Sequence, residues 1–143
     1  MQNSNPWLLI GGALSAAASL AHLAVIVGGP RWYAAFGAGK RMVRLAEQGA
    51  PSATLITLGI AAVLAVWAAY AFSGAGLLPR LPLLRLGLVA ISAVYLIRAL
   101  VFVPAVMLQT GQAGTFAWVS SAIVLVFGLA YAIGTWTTWG TLR

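Results

Sequence analysis

The sequence contains no cysteine, a single histidine and a single acidic residue, Glu47. The lack of cysteine excludes disulfides, thiol nucleophiles and thiolate metal sites. One histidine and one carboxylate also exclude a histidine–carboxylate metal cluster within one chain, because such clusters need several protein ligands. We therefore predict no metal and no cofactor. Haem could bind through His22 only if another chain supplied a second histidine.

Charged residues are also scarce: they make up 6% of the 143 residues, whereas 62% are hydrophobic. Soluble domains carry about 25% charged residues because they must cover themselves with water-compatible groups. We expect lipid to surround most of this chain, which makes it an integral membrane protein. The apolar runs are continuous and too long for alternating barrel strands, so the predicted fold class is all-α.

The few charges are almost all positive, and the formal net charge is +7. In a soluble protein this charge would suggest nucleic acid as a partner. In a membrane protein, cations at the membrane boundary meet anionic lipid headgroups. We therefore predict membrane lipids, and no nucleic acid, as partners. The N-terminal segment lacks the basic region of a secretory signal, so we interpret the first apolar run as a retained membrane helix.

Four apolar runs are long enough to cross a bilayer as helices, which takes about 20 residues each. They cover residues 7–27, 52–72, 83–108 and 116–136. Short connections favour antiparallel neighbours, so we predict a four-transmembrane-helix bundle forming a single membrane domain, residues 1–143. Pro104 is expected to kink the third helix or to end its regular part. The runs show no internal repeat, so an inverted-repeat transporter finds no support.

The segment 30–51, between the first two runs, combines aromatic and basic residues. If it forms one helix, these residues fall on opposite sides, which is typical of an amphipathic helix in the membrane interface. Gly37 and Gly39 argue against a continuous helix, since each costs about 1 kcal/mol relative to alanine. The alternative is an ordered re-entrant turn at 36–39 followed by a short helix over 40–48. The predicted interface residues of this segment and of the last run are Trp32, Phe36, Lys40, Arg41, Arg44, Trp136 and Trp139.

Small residues recur at helical spacing in the first, second and fourth runs. A four-residue spacing of small side chains lets two membrane helices approach closely. The predicted packing residues are Gly11, Ser15, Ser19, Ala61, Ala65, Ser121 and Gly128. These small faces exceed what a loose monomeric bundle needs, so they favour a homo-oligomer or a complex with other membrane subunits.

Arg98 lies well inside the third run, where leaving a guanidinium in hydrocarbon costs at least ~3 kcal/mol. At about 100° per residue, Arg85, Ser92, Tyr95 and Arg98 form one polar ribbon that winds along that helix. Four crossings put the first and third connections on one side of the membrane, the side nearest His22 and Glu47. Our candidate ligand-binding residues are His22, Glu47, Tyr95 and Arg98. Arg98 alternatively fixes helix register through an ion pair or hydrogen bonds, or snorkels to the interface, and His22 is alternatively a packed, hydrogen-bonded residue or a proton-transfer group.

The stretches GGPRWYAAFGAG and YAFSGAGLLPRLPLLR resemble those of small four-helix membrane proteins of proteobacteria. The resemblance covers most of the chain. It implies a multi-pass protein of the bacterial inner (cytoplasmic) membrane. It carries over neither an activity nor a functional residue.

The features of the sequence are consistent with three different functions. The first is a small inner-membrane protein acting by association, as a homo-oligomer or as an accessory subunit of a larger complex. The alternatives are a small-solute transporter or channel, and a protein that binds a lipid or another apolar ligand through polar residues around Arg98. The scarcity of ionisable groups argues against an enzyme, and no catalytic residue is predicted. The nearly bare second run argues against a continuous polar path.

Overall fold

The computed structural model describes residues 4–142. Within that range the secondary structure is entirely helical, which confirms the all-α prediction. The helices of this range are α1 (Pro6–Gly28), α2 (Pro30–Ala35), α3 (Lys40–Glu47), α4 (Pro51–Gly74), α5 (Leu84–Thr110) and α6 (Thr115–Thr137).

Helices α1, α4, α5 and α6 are each long and apolar enough to cross a membrane, with 23 to 27 residues and a mean hydropathy of 1.9 to 2.3. They coincide with the four predicted runs, except that residue 83 precedes α5. Helix α5 continues through Pro104 to Thr110. Pro104 therefore does not end the helix, because a proline removes only one backbone donor from a long hydrogen-bonded segment.

Proline and glycine mark many of the helix boundaries. The first position of a helix is occupied by Pro6, Pro30 and Pro51. The backbone N–H at this position makes no hydrogen bond within the helix, so proline, which lacks it, costs nothing there. Helix α5 ends at Gly111, whose φ of 74° lies in the left-handed region. The N-cap of α5 is Leu83, which has a φ of 54° and is the non-glycine residue with positive φ in the described chain.

The segment between α1 and α4 folds as two short helices joined by a turn. The turn includes Gly37 and Gly39, with φ values of 66° and 88°. A right-handed helix cannot pass through such residues, so the single continuous helix is wrong. The alternative with a turn followed by a short helix describes the backbone: α3 covers Lys40–Glu47 against the predicted 40–48.

The described residues group into two compact units. Unit 1 takes the residues up to Leu14 and those from Trp67 onward, and unit 2 is Ser15–Val66. The boundaries fall inside α1 and α4. The single domain over 1–143 stays a prediction, and residues 1–3 and 143 of it lie outside the described range.

Unit 2 has a small core centred on Tyr33, which is buried together with Val25 and Ala53. The hydroxyl of Tyr33 lies 2.9 Å from Oγ1 of Thr57 and 3.3 Å from the carbonyl oxygen of Ala53. The apolar side of α3 packs against this core through Met42, Val43, Leu45 and Ala46. Polar and apolar contacts of Tyr33 thus hold α2 against α4.

Helix α6 packs closely against α5 and against the start of α1 in unit 1, because two glycines of α6 leave room for leucines. A Cβ placed on Gly128 would lie 2.8 Å from the side chain of Leu96 and 3.2 Å from its backbone nitrogen. A Cβ on Gly134 would meet Leu8 of α1, at 2.6 Å from Cγ. Side chains at these glycines would overlap their neighbours, so the close approach of the helices depends on glycine.

Candidate functional site

The four predicted ligand-binding residues divide between the two units. His22 and Glu47 belong to unit 2, and Tyr95 and Arg98 belong to unit 1. His22 is half-buried, and its Nδ1 lies 2.7 Å from the carbonyl oxygen of Ala18 in the same helix. Glu47 is the exposed last residue of α3. Within unit 2, His22 therefore engages its own helix and Glu47 is open to its surroundings.

Tyr95 is a packing residue of unit 1, with 5% of its surface exposed. Its ring centroid lies 4.9 Å from that of Trp67 and 5.4 Å from those of Phe127 and Tyr131. The angles between the rings range from 48° to 82°. Edge-on and tilted contacts of this kind stabilise aromatic clusters. Tyr95 thus anchors the core of α5 one turn before Arg98.

Arg98 makes one hydrogen bond and one ring contact in unit 1. Its Nη2 donates to Oγ of Ser120 on α6 at 3.3 Å. Its Cζ lies 3.6 Å from the ring centroid of Phe102, one turn further along α5. Unit 1 holds no acidic side chain in its described part, since Glu47 is the only acid of the chain. A neutral hydroxyl and a ring face are therefore the groups that accompany this cation.

The guanidinium of Arg98 is directed toward the connection between α5 and α6. The contact between Leu96 and Gly128 fixes the level at which the two helices face each other. Ser120 lies eight residues before Gly128, about 12 Å toward the start of α6. Reaching Ser120 takes the Arg98 side chain toward that end, to within about 8 Å of the first residue of α6. The Arg98 side chain thus extends along the helix pair toward this connection.

Two polar atoms near this end of the pair lack a hydrogen-bond partner in the described chain. They are Nη1 of Arg98 and Oγ of Ser121, and both are buried. A buried polar atom without a partner costs about 1–3 kcal/mol, and more when it is charged. A guanidinium only donates and a hydroxyl can donate, so the complementary group is rich in acceptor oxygens. We call Arg98, Ser120 and Ser121 the Arg98 site.

A second cationic region lies at the other end of α5. Nη2 of Arg85 donates to the carbonyl oxygen of Trp139 at 2.6 Å, and its Cζ lies 4.3 Å from the Trp139 ring. Nη2 of Arg80 donates to the carbonyl oxygen of Thr141 at 2.7 Å. The two arginines border a cleft of about 580 Å³. We call it the Arg85 cleft, and its lining also includes Leu83, Leu86, Val89, Trp139 and Leu142.

Trp139 was predicted only as an interface residue, and neither Arg80 nor Arg85 was among the predicted site residues. The available signal was the pair of arginines, five residues apart among leucines, together with a tryptophan just after the last apolar run. Hydropathy could not show that residues 139–142 fold back to meet the start of α5, because that contact spans about 55 residues of sequence. The Arg85 cleft is therefore a feature that only the three-dimensional structure reveals.

The predicted packing and interface residues occupy different environments. The buried ones among the predicted packing residues are Gly11, Ser15, Ser19, Ala61, Ser121 and Gly128. Ala65 is exposed. All seven predicted interface residues are exposed, namely Trp32, Phe36, Lys40, Arg41, Arg44, Trp136 and Trp139.

Residues suited to hold a metal do not come together in the described part of the chain, where no three His, Cys, Asp or Glu side chains form a group. The chemistry that the described residues do offer is cationic and donor-rich, at the Arg98 site and at the Arg85 cleft. Neither a protein-family model, nor a curated protein, nor a solved structure matches this chain.

Proposed function

We propose that the chain is a multi-pass protein of the bacterial inner membrane that binds the phosphate-bearing head of a lipid at the Arg98 site. Four helices of membrane-crossing length and apolarity support the multi-pass arrangement. Large apolar side chains also project outward along these helices, including Leu20 and Leu100 with about two thirds of their surface exposed. Contiguous apolar surface of this kind suits a lipid environment.

The observation that carries the lipid proposal is the unmatched guanidinium of Arg98. Its Nη1 has no acceptor in the described chain, and the described part of unit 1 has no carboxylate side chain to balance the charge. In hydrocarbon such a group is costly, because no water is present to replace the missing acceptor. A phosphate supplies both the negative charge and several acceptor oxygens, and guanidinium–phosphate hydrogen bonds are among the strong ones.

The direction of the Arg98 side chain favours a ligand that reaches in from the membrane surface. The guanidinium points toward the α5–α6 end and lies about one to two helical turns below the start of α6. On the outer side of α5, Val94 and Val101 flank Arg98 by one turn each and are about half exposed. A lipid can lay its acyl chain along these valines while its phosphate meets Arg98 and Ser121.

In the same proposal, the short helices α2 and α3 lie at the membrane surface. On α3, the cations Lys40, Arg41 and Arg44 are exposed, while its apolar side packs on the core of unit 2. Trp32 and Phe36 are exposed and stacked, with ring centroids 6.0 Å apart. Cations toward headgroups and aromatics at the acyl boundary are typical of interfacial segments.

Native mass spectrometry of the full-length protein, purified in mild detergent from bacterial membranes, tests the lipid proposal. We expect wild-type protein to retain one more phospholipid than Arg98→Gln. The matched control is Arg31→Gln, which removes the same charge from an exposed position in α2. It should retain lipid as wild type does. Equal retention by wild type and Arg98→Gln would contradict the proposal.

Association with a second chain is the other candidate, and one glycine favours it. Gly59 lies in the interior of α4, and a Cβ added there would meet nothing within 4 Å. A helix-interior glycine costs about 1 kcal/mol relative to alanine, so one without a packing role inside the chain is consistent with contact to another helix. Light scattering of wild type and Gly59→Leu in detergent measures the particle mass and so shows whether this face of α4 associates with a second chain. Association through this face predicts a smaller particle for Gly59→Leu, and identical masses would exclude it.

A further inference from the structure

We infer that the exposed cationic side of α3 binds the headgroups of anionic phospholipids at the membrane boundary. We call its three cations, Lys40, Arg41 and Arg44, the α3 patch. The inference rests on the multi-pass arrangement proposed above, but not on a lipid at the Arg98 site. It goes beyond a position at the membrane surface, because it gives α3 a ligand class: phospholipids whose headgroups carry a net negative charge.

The three cations of the α3 patch share one side of the helix. At about 100° per residue, they fall within roughly 100° of one another. All three side chains are exposed, whereas the opposite, apolar side of α3 packs against the buried core around Tyr33. The packing of the apolar side therefore fixes the direction of the cations, which point away from the protein.

The position of this core along α1 and α4 sets the level of the α3 patch in the membrane. The core residue Val25 lies three residues before Gly28, the last residue of α1. The core residue Ala53 lies two residues after Pro51, the first residue of α4. Both core residues are thus within about one turn, or about 5 Å, of the end of a helix long enough to cross a membrane. Helix α3 therefore packs at the level where hydrocarbon gives way to headgroups.

Helix α2 holds the segment at the same level through its aromatic side chains. The Trp32 ring lies against the backbone of Gly28, where an added Cβ would overlap it. The rings of Trp32 and Phe36 are stacked and about half exposed. The hydroxyl of Tyr33 lies 2.9 Å from Oγ1 of the buried Thr57 on α4. Exposed aromatic rings prefer the acyl boundary, so they place the neighbouring cations next to lipid headgroups.

The charge of unit 2 favours an anionic over a zwitterionic lipid. The unit contains four Lys and Arg side chains, which are the α3 patch and Arg31, against one acid, Glu47. The phosphate of phosphatidylcholine is balanced by its own choline, whereas phosphatidylglycerol carries a net negative charge. Each cation held near an anionic lipid surface adds roughly fivefold to binding. Three cations on one side of a helix therefore select for anionic headgroups.

Lipid titration of the full-length Arg98→Gln protein, read out by native mass spectrometry, tests the α3 patch. This parent lacks the guanidinium of the Arg98 site, so the inference and the proposed function can fail separately. Phosphatidylglycerol is the anionic probe, phosphatidylcholine is the neutral one, and we expect the parent to prefer phosphatidylglycerol. Adding Lys40→Gln/Arg41→Gln/Arg44→Gln should lower the affinity for phosphatidylglycerol by about 100-fold, from roughly fivefold per cation.

Three results of this titration would overturn the inference. The first is a parent without preference for phosphatidylglycerol. The second is a loss below about fivefold in the triple glutamine variant, which is less than the contribution of one cation. The third is efficient displacement of phosphatidylglycerol by inorganic phosphate at constant ionic strength, because the patch would then bind a free anion instead of a lipid.

Two variants in the same parent separate charge from folding. Arg41→Lys/Arg44→Lys keeps the charge of the α3 patch and should bind phosphatidylglycerol as the parent does; a loss as large as that of the glutamine variant would contradict an electrostatic patch. Glu47→Gln removes the negative charge from the exposed last residue of α3. It should raise the affinity by roughly fivefold, a gain that loss of folding cannot produce. Unchanged or lower affinity in Glu47→Gln would count against the inference.

Lys40 allows the contact itself to be measured, because it is the only lysine of the sequence. Nitrogen–phosphorus dipolar recoupling in solid-state NMR of lysine-labelled protein therefore reports on a single side-chain amine. We expect strong dephasing of the Lys40 Nζ signal in phosphatidylglycerol bilayers and much weaker dephasing in phosphatidylcholine bilayers. Equal dephasing in the two lipids, or none in phosphatidylglycerol, would show that the α3 patch does not bind anionic headgroups.

Discussion

The two arginines of α5, Arg85 and Arg98, differ in the acceptors that surround their guanidinium groups. At one end, Arg85 donates to the Trp139 carbonyl at 2.6 Å and stacks on the Trp139 ring. At the other end, Arg98 has a 3.3 Å hydrogen bond to Ser120, a ring contact and a buried Nη1 without an acceptor. Each guanidinium also has one buried nitrogen without a hydrogen-bond partner in the described chain, Nε of Arg85 and Nη1 of Arg98. The difference lies in the acceptor, which is a backbone carbonyl for Arg85 and a hydroxyl at a longer distance for Arg98. We therefore expect Arg85 to contribute more to the stability of the fold than Arg98 does.

The Arg85 end is also the end that polar contacts hold together. Asn5 caps α1, because its Oδ1 accepts hydrogen bonds from the backbone N–H groups of Trp7 and Leu8. Its Nδ2 donates to the carbonyl oxygen of Gly134 and to Oγ1 of Thr137 on α6. One asparagine therefore joins the start of α1 to the end of α6. Among the described residues, the Arg98 end has only the Ser120 bond as a side-chain link between α5 and α6.

The largest expected effect comes from breaking the helix pair that carries both ends. Gly128→Leu would place a side chain against Leu96, where even a Cβ is too close. We expect the free energy of unfolding to fall by about 1–3 kcal/mol and lipid binding at the Arg98 site to be lost. Titration with sodium dodecyl sulfate, followed by circular dichroism, measures the stability. Ala90→Leu is the control, because it enlarges the side chain at an exposed position of α5. Equal losses in the two variants would show that the Gly128 contact does not hold the pair.

The next effect distinguishes the two arginines by stability. Arg85→Gln loses a hydrogen bond to a carbonyl and a cation–π contact, so we expect the free energy of unfolding to fall by about 1–2 kcal/mol. The same detergent titration measures it, and Arg31→Gln should change stability by less than about 0.5 kcal/mol. If Arg85→Gln were as stable as Arg31→Gln, the contacts of Arg85 with Trp139 would not stabilise the fold.

A change of the opposite sign is expected for Arg98. Arg98→Leu removes a buried donor that has no acceptor, so the unfolding free energy of ligand-free protein should rise by about 1 kcal/mol. Lipid binding at the Arg98 site should be lost at the same time. Delipidated protein in detergent gives the stability, and Arg98→Leu/Glu47→Gln should behave like the single variant. A marked destabilisation by Arg98→Leu would mean that Arg98 holds the fold together.

The smallest effect is expected at Ser121, whose buried hydroxyl has no partner. Ser121→Ala removes the hydroxyl without opening a large cavity, so ligand-free stability should stay the same or rise by up to about 1 kcal/mol. Lipid retention at the Arg98 site should weaken, because one hydroxyl of the site is gone. Ser120→Ala is the matched comparison, since its hydroxyl has a partner in Arg98. A loss of stability in Ser121→Ala would show that the Ser121 hydroxyl makes a stabilising hydrogen bond, which contradicts this prediction.

The arrangement of the helices follows from simple sequence features. Long apolar runs predict α1, α4, α5 and α6, and proline marks where α1 and α4 begin. The sequence allowed either one continuous helix or a turn followed by a short helix in the segment before α4. The positive φ values of Gly37 and Gly39 show that the turn is present. The sequence also identified Arg98 as unusual, because a cation inside a long apolar run is visible without a structure.

The surroundings of the polar residues could not be predicted in the same way. The hydrogen bond between Arg98 and Ser120 depends on the register of α5 and α6, which the fit of Gly128 against Leu96 decides. The Arg85 cleft depends on a C-terminal segment that folds back over the start of α5. Both are long-range packing outcomes, and local spacing along one helix carries no information about them.

The proposal that a lipid phosphate contacts Arg98 can be measured as a distance. Carbon–phosphorus dipolar recoupling in solid-state NMR detects phosphorus close to the guanidinium carbon of labelled arginine in phospholipid bilayers. We predict phosphorus-dependent dephasing in wild type, part of which disappears in Arg98→Gln but persists in Arg31→Gln. Identical dephasing in wild type and Arg98→Gln would show that no lipid phosphate contacts Arg98 and would contradict the proposed function.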